Sequence, residues 1–397
     1  MQIRKKAILY YLMAFVFFGG NNYGGFPVLG ALIGLLNNVF FLYCVLDFLN
    51  RYFKYREYPR ASIISILWAT YNILYWVCMY KANGHVPTGD LLFTIKSVVA
   101  VIWLDDIIHE DIENLLGPIL FAFVTWVVWD SLITFIYPGG MPQLSGGYPL
   151  GWKNNKDTHL IISNLLIAYK YFSLKTANER QWTWISWVLF TVMCIANVSI
   201  AKSSTTMFAV MLIFGFSILY TIISKTVLTR WWFPPTMYSV MFFVLVFLRS
   251  LYQPQINAIT QMLFQKDATF TGRTYVWDAA LLKIAESPIW GHGNYGFLPA
   301  VGDGYYYMWG ITHNAFLEFL MRGGIILLIV GLATYLSCVK SLRLSKHSIF
   351  AKAATFALLA YSFVLMFECG EHYFWVLLII YHGGFIEERL WNGRELE

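Results

Sequence analysis

Five residues in the last third of the chain have side chains suited to group transfer from a phosphate-bearing donor. They are, in chain order, Arg273, His313, Asn314, Glu318 and Arg322. A histidine near neutral pH can act as a general base, and an arginine can hold phosphate oxygens in a planar fork. The set predicts a reaction in which a hydroxyl attacks and an anionic group leaves. On spacing alone a structural role stays open, in which His313 and Asn314 begin a helix and Arg273 reaches the membrane surface.

Five further residues are weaker candidates for binding the same substrate. They are Lys202 and Arg249, at the ends of apolar runs, Lys156 in a glycine- and proline-rich loop, and Glu371 and His372 in the turn that starts at Glu368. Ionisable residues close to membrane spans are costly and are functional candidates by default. Plain connecting turns, and side chains that reach the interface, are the alternatives.

An acidic stretch around Asp105, Asp106 and His109 offers another kind of chemistry. Paired carboxylates next to a histidine could hold Mg²⁺ against a diphosphate. The favoured interpretation is instead a solvated turn on the cytoplasmic side. No metal site and no cofactor is therefore predicted.

The elements that must position these residues follow from composition. Of 397 residues, 58% are hydrophobic and only 13% are charged, with a mean hydropathy of +0.57. Soluble domains carry about twice that share of charge, so a soluble enzyme, a nucleic-acid-binding protein and a disordered protein are excluded. A membrane helix needs roughly 20 apolar residues. The sequence predicts an all-α polytopic membrane protein, a single integral-membrane domain over 1–397.

Twelve apolar runs are candidate spans. They fall at about 7–26, 28–49, 61–80, 88–104, 115–136, 159–175, 182–200, 204–224, 235–252, 313–339, 349–368 and 370–386. With the amino terminus inside, alternating topology places 18 of the 28 lysines and arginines in inside segments. Because cytoplasmic loops accumulate these residues, both termini are predicted to be cytoplasmic.

The longest connection, 253–312, lies between the ninth and tenth predicted spans and is therefore predicted to be extracytoplasmic. Within it, Trp277, Ala280, Leu281 and Ile284 have the spacing of one helix face. We expect a helix over about 272–286 that lies along the membrane interface.

Three motifs in and just after this loop resemble those of the superfamily of O-antigen ligases and Wzy-type polysaccharide polymerases. They are Gly272-Arg273 with Trp277, then Pro288 with Gly291 and Gly293, then His313-Asn314 with Glu318. Each motif alone is weak, but all three occur in the family's order. The resemblance is sharp over about 270–325 and topological elsewhere.

The resemblance implies a metal-independent, inverting glycosyltransferase of the bacterial cytoplasmic membrane. Its donor would be an oligosaccharide linked to undecaprenyl diphosphate on the outer face, and its acceptor a growing glycan. Arg273 would hold the diphosphate and His313 would serve the acceptor hydroxyl. Lys202 stands where the family usually has arginine, which keeps the charge but loses the fork. Arg249, Asn314, Glu318 and Arg322 would complete the substrate site.

Three functions fit this resemblance in decreasing order. The first is a polymerase that extends a capsule, an exopolysaccharide or an O-antigen. The second is a ligase that transfers finished glycan to the lipid A core. The third is a transporter or flippase of the lipid-linked glycan, disfavoured because the charges gather toward one face. The expected partners are the lipid bilayer, a flippase and a chain-length regulator, with no nucleic acid.

Overall fold

The computed structural model describes residues 2–19, 26–248, 262, 273–294, 296, 298–299, 308–369 and 372–388. Within these ranges the elements are almost entirely helical. The helices are α1 Gln2–Phe17, α2 Pro27–Tyr55, α3 Ile63–Asn83, α4 Thr88–Ile136, α5 Asp157–Ser173, α6 Ala177–Ile200, α7 Ser204–Ile223, α8 Phe233–Phe242, α9 Arg273–Glu286, α10 Ala315–Leu344, α11 Ile349–Phe367 and α12 Tyr373–His382. Two-residue strands, Leu298–Pro299 and Met308–Trp309, pair antiparallel.

The helices confirm the predicted all-α polytopic fold. Each of the twelve apolar runs overlaps a helix, and the fourth and fifth runs both fall in α4. A break in the helical dihedral angles at Asp111 separates these two runs. In the described part of the chain, seven helical segments are long and apolar enough to cross a membrane. They are Pro27–Tyr55, Ile63–Asn83, Ile112–Ile136, Ala177–Ile200, Ser204–Ile223, Ala315–Leu344 and Ile349–Phe367.

One end of the bundle, here called the Asp105 end, gathers segments that the charge pattern assigned to a single side. Arg51 Nη2 at the end of α2 lies 2.5 Å from Asp106 Oδ2, and His382 Nε2 at the end of α12 lies 2.8 Å from Asp105 Oδ1. Lys6 of α1 is 3.6 Å from Asp111. The positions of these segments agree with the alternating topology, whose orientation in the membrane stays a prediction.

The predicted solvated turn at Asp105 and Asp106 is wrong. Both carboxylates are fully buried inside α4. Asp105 accepts hydrogen bonds from the Ser62 amide and the Ser65 hydroxyl. Burial raises the pKa of Asp105, but hydrogen bonds from its histidine and serine neighbours outweigh burial and hold this pKa well below its usual range. The charged stretch therefore packs the bundle together.

At the opposite end, here called the His313 end, a break in α10 receives the loop that follows α9. Gly323 and Gly324 interrupt the helical dihedral angles of α10. The Ile325 amide donates to the Pro288 carbonyl at 2.8 Å, and the His292 amide donates to the Met321 carbonyl at 2.7 Å. The glycine-rich motif after α9 is therefore hydrogen-bonded to the motif that opens α10.

Gly324 is expected to be essential for this junction. Its φ of 59° and ψ of −154° are accessible only to glycine, and a Cβ there would lie 2.3 Å from the Ile289 carbonyl carbon. Gly324→Ala should destabilise the protein by about 2–4 kcal/mol, measured by thermal unfolding in detergent. Gly34→Ala is the matched control, because a Cβ at that position in α2 meets no atom within 4 Å. Equal stability of the two variants would contradict this role.

Candidate active site

Arg273, His313 and Glu368 form one hydrogen-bonded group at the His313 end. Arg273 Nη2 lies 2.6 Å from Glu368 Oε1, and His313 Nδ1 lies 3.2 Å from Glu368 Oε2. All three side chains are largely buried. One carboxylate thus contacts both predicted catalytic residues through its two different oxygens.

The start of α10 places His313 beside Glu368. Asn314 is the N-cap: its Oδ1 accepts from the amides of Phe316 and Leu317, and its Nδ2 donates to the Met366 carbonyl of α11 at 3.1 Å. This capping explains why an asparagine stands there. His313, just before the cap, adopts a φ of 51°, which is uncommon for a non-glycine residue and costs energy.

Glu318 and Arg322 support the loop that carries His313. Glu318 Oε2 accepts from the Thr312 amide at 3.0 Å, and its Oε1 accepts from Arg322 Nε at 2.6 Å. The Arg322 guanidinium also lies over the Tyr75 ring of α3. The three contacts are internal to the protein, so they favour a supporting role for Glu318 and Arg322. Their predicted part in substrate binding stays a prediction.

Arg273 is held by the first turns of α9. Val276, Trp277 and Ala280 are fully buried, and Trp277 Nε1 donates to the Thr312 carbonyl at 3.0 Å. The apolar face predicted for this helix therefore packs against protein. Arg273 Nε is buried and has no hydrogen-bond partner within the described ranges. A buried donor without a partner is costly, so this nitrogen is suited to an anionic ligand.

Lys156 belongs to a separate buried cluster at the same end. Its Nζ lies 2.8 Å from Asp130 Oδ2, donates to Thr134 Oγ1 and Asn197 Oδ1, and sits over the Tyr148 ring. Burial lowers the pKa of Lys156, and the Asp130 carboxylate opposes that shift. Every neighbour named here satisfies the ammonium internally, which favours a structural role.

The remaining predicted site residues lie apart from this group or outside the described ranges. Lys202 is exposed in the turn between α6 and α7, with a φ of 56°. His372 packs against the His159 ring, with centroids 5.5 Å apart. Arg249 and Glu371 lie outside the described residues.

One group in the described part of the chain has the composition of a metal site. Ligand atoms of Asp105, His109 and His382 lie within 4.8 Å of one another. This group is at the Asp105 end, the other end of the bundle from Arg273 and His313. Hydrogen bonds from the Ser62 amide and His382 already occupy both Asp105 oxygens.

Comparison with known families gives a match in the part of the chain that holds this site. Residues 189–332 match the O-antigen ligase family. This match confirms the resemblance seen in the motifs. It covers about a third of the chain and includes Lys202, Arg249, Arg273, His313, Asn314, Glu318 and Arg322. A search of curated proteins finds none that matches.

The O-antigen ligase family consists of membrane glycosyltransferase-like enzymes, ligases and polymerases. The matched segment runs from within α6 to the middle of α10, and so includes both Arg273 and the loop that carries His313. Glu368, Lys156 and His372 lie outside it.

Glu368 is the residue that sequence reasoning missed. Its turn was recognised as a possible source of a carboxylate, but Glu371 and His372 were preferred within it. Glu368 is 95 residues from Arg273 and 55 residues from His313 in sequence, so spacing could not reveal the contact. The one available signal was that Glu368 is the first charged residue after an apolar run.

Glu368→Gln should lower the rate of glycan transfer by about 10²-fold, because the amide keeps the size but loses the charge that orients His313. Transfer by purified variants should be followed over a range of pH. A change in the pH profile is expected in addition to the lower rate, because the imidazolium loses its counter-charge. Glu286→Gln is the matched control, since Glu286 is exposed at the end of α9. An unchanged rate and pH profile for Glu368→Gln would contradict the positioning role.

Proposed function

We propose that this protein transfers glycan from a lipid-diphosphate-linked oligosaccharide to a sugar hydroxyl, and that Arg273 and His313 form its catalytic centre. The observation that carries this proposal is the shared contact of both side chains with Glu368. A guanidinium and an imidazole held side by side suit a leaving diphosphate and an attacking hydroxyl. The O-antigen ligase match over the same residues supports this assignment.

In the proposed reaction His313 acts as the general base. Since a carboxylate can only accept, His313 Nδ1 donates to Glu368, and the neutral ring then carries its lone pair on Nε2. The acceptor hydroxyl oxygen attacks the anomeric carbon while Nε2 takes the hydroxyl proton. Glu368 stabilises the imidazolium that forms, which later returns its proton to water.

Arg273 stabilises the leaving group in the same step. The bond from the anomeric carbon to the diphosphate oxygen breaks, and the diphosphate leaves with the bonding electron pair. Arg273 Nε, a buried donor without a described partner, is available for the developing negative charge, while Nη2 stays on Glu368. Preorganised donors of this kind stabilise charge as it develops. A single displacement inverts the anomeric centre.

The membrane body of the protein fits a donor with a long apolar tail. The site lies at one end of helices that are apolar enough to span the bilayer. A polyprenyl chain would lie among these helices or in the adjacent lipid, with its diphosphate at the rim beside Arg273. We propose the outer face of the bacterial cytoplasmic membrane as the location of this rim.

We propose a polymerase as the specific activity, and a ligase as the second candidate. Leu327 supports the polymerase, because ligases of the resembled superfamily usually carry a small residue or tyrosine at this position after the His-Asn motif. Leu327 is fully buried in α10 against Gly323. The ligase is kept because the matching family is described as O-antigen ligase.

Purified protein incubated with lipid-linked repeat units distinguishes these activities. A ladder of longer glycans formed without lipid A core supports the polymerase. Product that forms only after lipid A core is added supports the ligase. The absence of product under both conditions, from a folded protein, would contradict glycosyl transfer by this chain.

A further inference from the structure

A large basic pocket opens at the Asp105 end of the bundle, away from the proposed catalytic centre. It has a volume of about 710 Å³ and lies between the segment that joins α7 to α8 and the connection from α10 to α11. The pocket belongs to this end because Ser341, beside its α10 wall, donates to the Tyr381 carbonyl next to His382. His382 in turn contacts Asp105.

The pocket wall carries an excess of positive charge. Four cationic side chains line it, together with His347: Lys225, Arg230, Lys346 and Lys352. No aspartate or glutamate is among its lining residues, and none of the four cations forms an ion pair within the residues the structure describes. Unneutralised cations around a cavity of this size favour an anionic occupant.

The helix geometry and the aromatic residues of the pocket add to this preference. Ser348 caps the amino terminus of α11, and the first turns of α11 contribute Ala351, Lys352 and Thr355 to the wall. A helix amino terminus attracts anions through its backbone dipole. Trp231 and Trp232 also line the pocket, and tryptophan is enriched where membrane meets water.

The pocket continues onto apolar surface. Ile222, Val227 and Trp232, at the mouth of the pocket or beside it, are each more than 40% exposed. A phosphate group in the pocket would therefore have hydrocarbon-compatible surface next to it. Basic pockets between membrane helices are known to hold anionic lipid headgroups.

We propose that this pocket binds the phosphate group of an anionic phospholipid and so ties the α7–α8 and α10–α11 connections to the membrane surface. The site is independent of the proposed glycosyl transfer. Free phosphate or diphosphate has the same charged group and is the other source of such a ligand. The two sources differ in whether acyl chains contribute to binding.

Native mass spectrometry of the purified full-length protein, titrated with phosphatidylglycerol and with neutral phosphatidylcholine, tests this proposal. The pocket variant combines Arg230→Gln, Lys346→Gln and Lys352→Gln. Loss of three charges near the surface should weaken phosphatidylglycerol binding about tenfold or more. Phosphatidylcholine binding should not change. Pyrophosphate, added as a soluble competitor, forms the second arm.

The matched control combines Lys54→Gln, Arg56→Gln and Lys175→Gln. These exposed residues are assigned to the same end and change the net charge equally, but they do not line the pocket. Should the pocket variant unfold, Lys346→Gln with His347→Gln, in the exposed α10–α11 connection, replaces it. Selective loss of phosphatidylglycerol binding in the pocket variant supports a lipid site. Selective loss of pyrophosphate binding supports a phosphate site but overturns the lipid assignment. Equal effects in both variants, or none, would overturn the proposal.

Discussion

His313→Ala is expected to lower the rate of glycan transfer by about 10²–10⁴-fold, the range that general-base removal produces. The loss follows because no other described imidazole contacts Glu368 beside Arg273. Insertion and folding should be preserved, since alanine removes a side chain whose described ion pair is with one carboxylate and relieves none of the helix cap. The rate is measured as product formed by purified protein from lipid-linked glycan.

His85→Ala is the matched control for His313→Ala. His85 is an exposed histidine in the connection between α3 and α4, assigned to the same end of the bundle. Its variant should retain the activity of the natural protein. Comparable activity in the His313 and His85 variants would remove His313 from the mechanism and leave its contact with Glu368 as a structural bond.

Arg273→Lys is expected to lower kcat/KM by about 10²–10³-fold although the charge is kept. A lysine can still pair with Glu368, but its ammonium cannot engage the carboxylate and a diphosphate oxygen through separate fork nitrogens. The measurement is kcat/KM for the lipid-linked donor, with thermal unfolding recorded in parallel. The unfolding temperature should change little because the ion pair with Glu368 survives.

Arg180→Lys is the control for the arginine substitution. Arg180 is exposed at the start of α6, where Nε donates to the Leu174 carbonyl. Activity of Arg273→Lys equal to that of this control would show that charge alone is sufficient. The two-pronged role of the guanidinium would then have to be abandoned.

The helices could be predicted from the sequence because they follow from local composition. Apolar runs of about 20 residues have few alternatives in a membrane, and every predicted run overlaps a helix. The match over 189–332 likewise agrees with motifs that lie close together in sequence. Properties fixed by neighbouring residues were therefore accessible before the structure.

Properties fixed by distant partners were not accessible. The charged run at Asp105 has the composition of a solvated turn, yet its partner His382 is 277 residues away. Glu368 likewise becomes a site residue only when the end of α11 meets the starts of α9 and α10. In α9, the apolar face was predicted correctly as a periodic pattern. The protein surface that covers it could not be identified from that pattern.

Release of lipid diphosphate by the purified protein is the most direct measure of the proposed chemistry. The protein is incubated with lipid-linked glycan and its acceptor in the presence of EDTA. Free undecaprenyl diphosphate and the configuration of the new glycosidic bond are then determined. We predict one lipid diphosphate released for each bond formed, with inversion at the anomeric carbon. Turnover that strictly requires added Mg²⁺, or a bond of retained configuration, would contradict a single displacement assisted by Arg273 and His313.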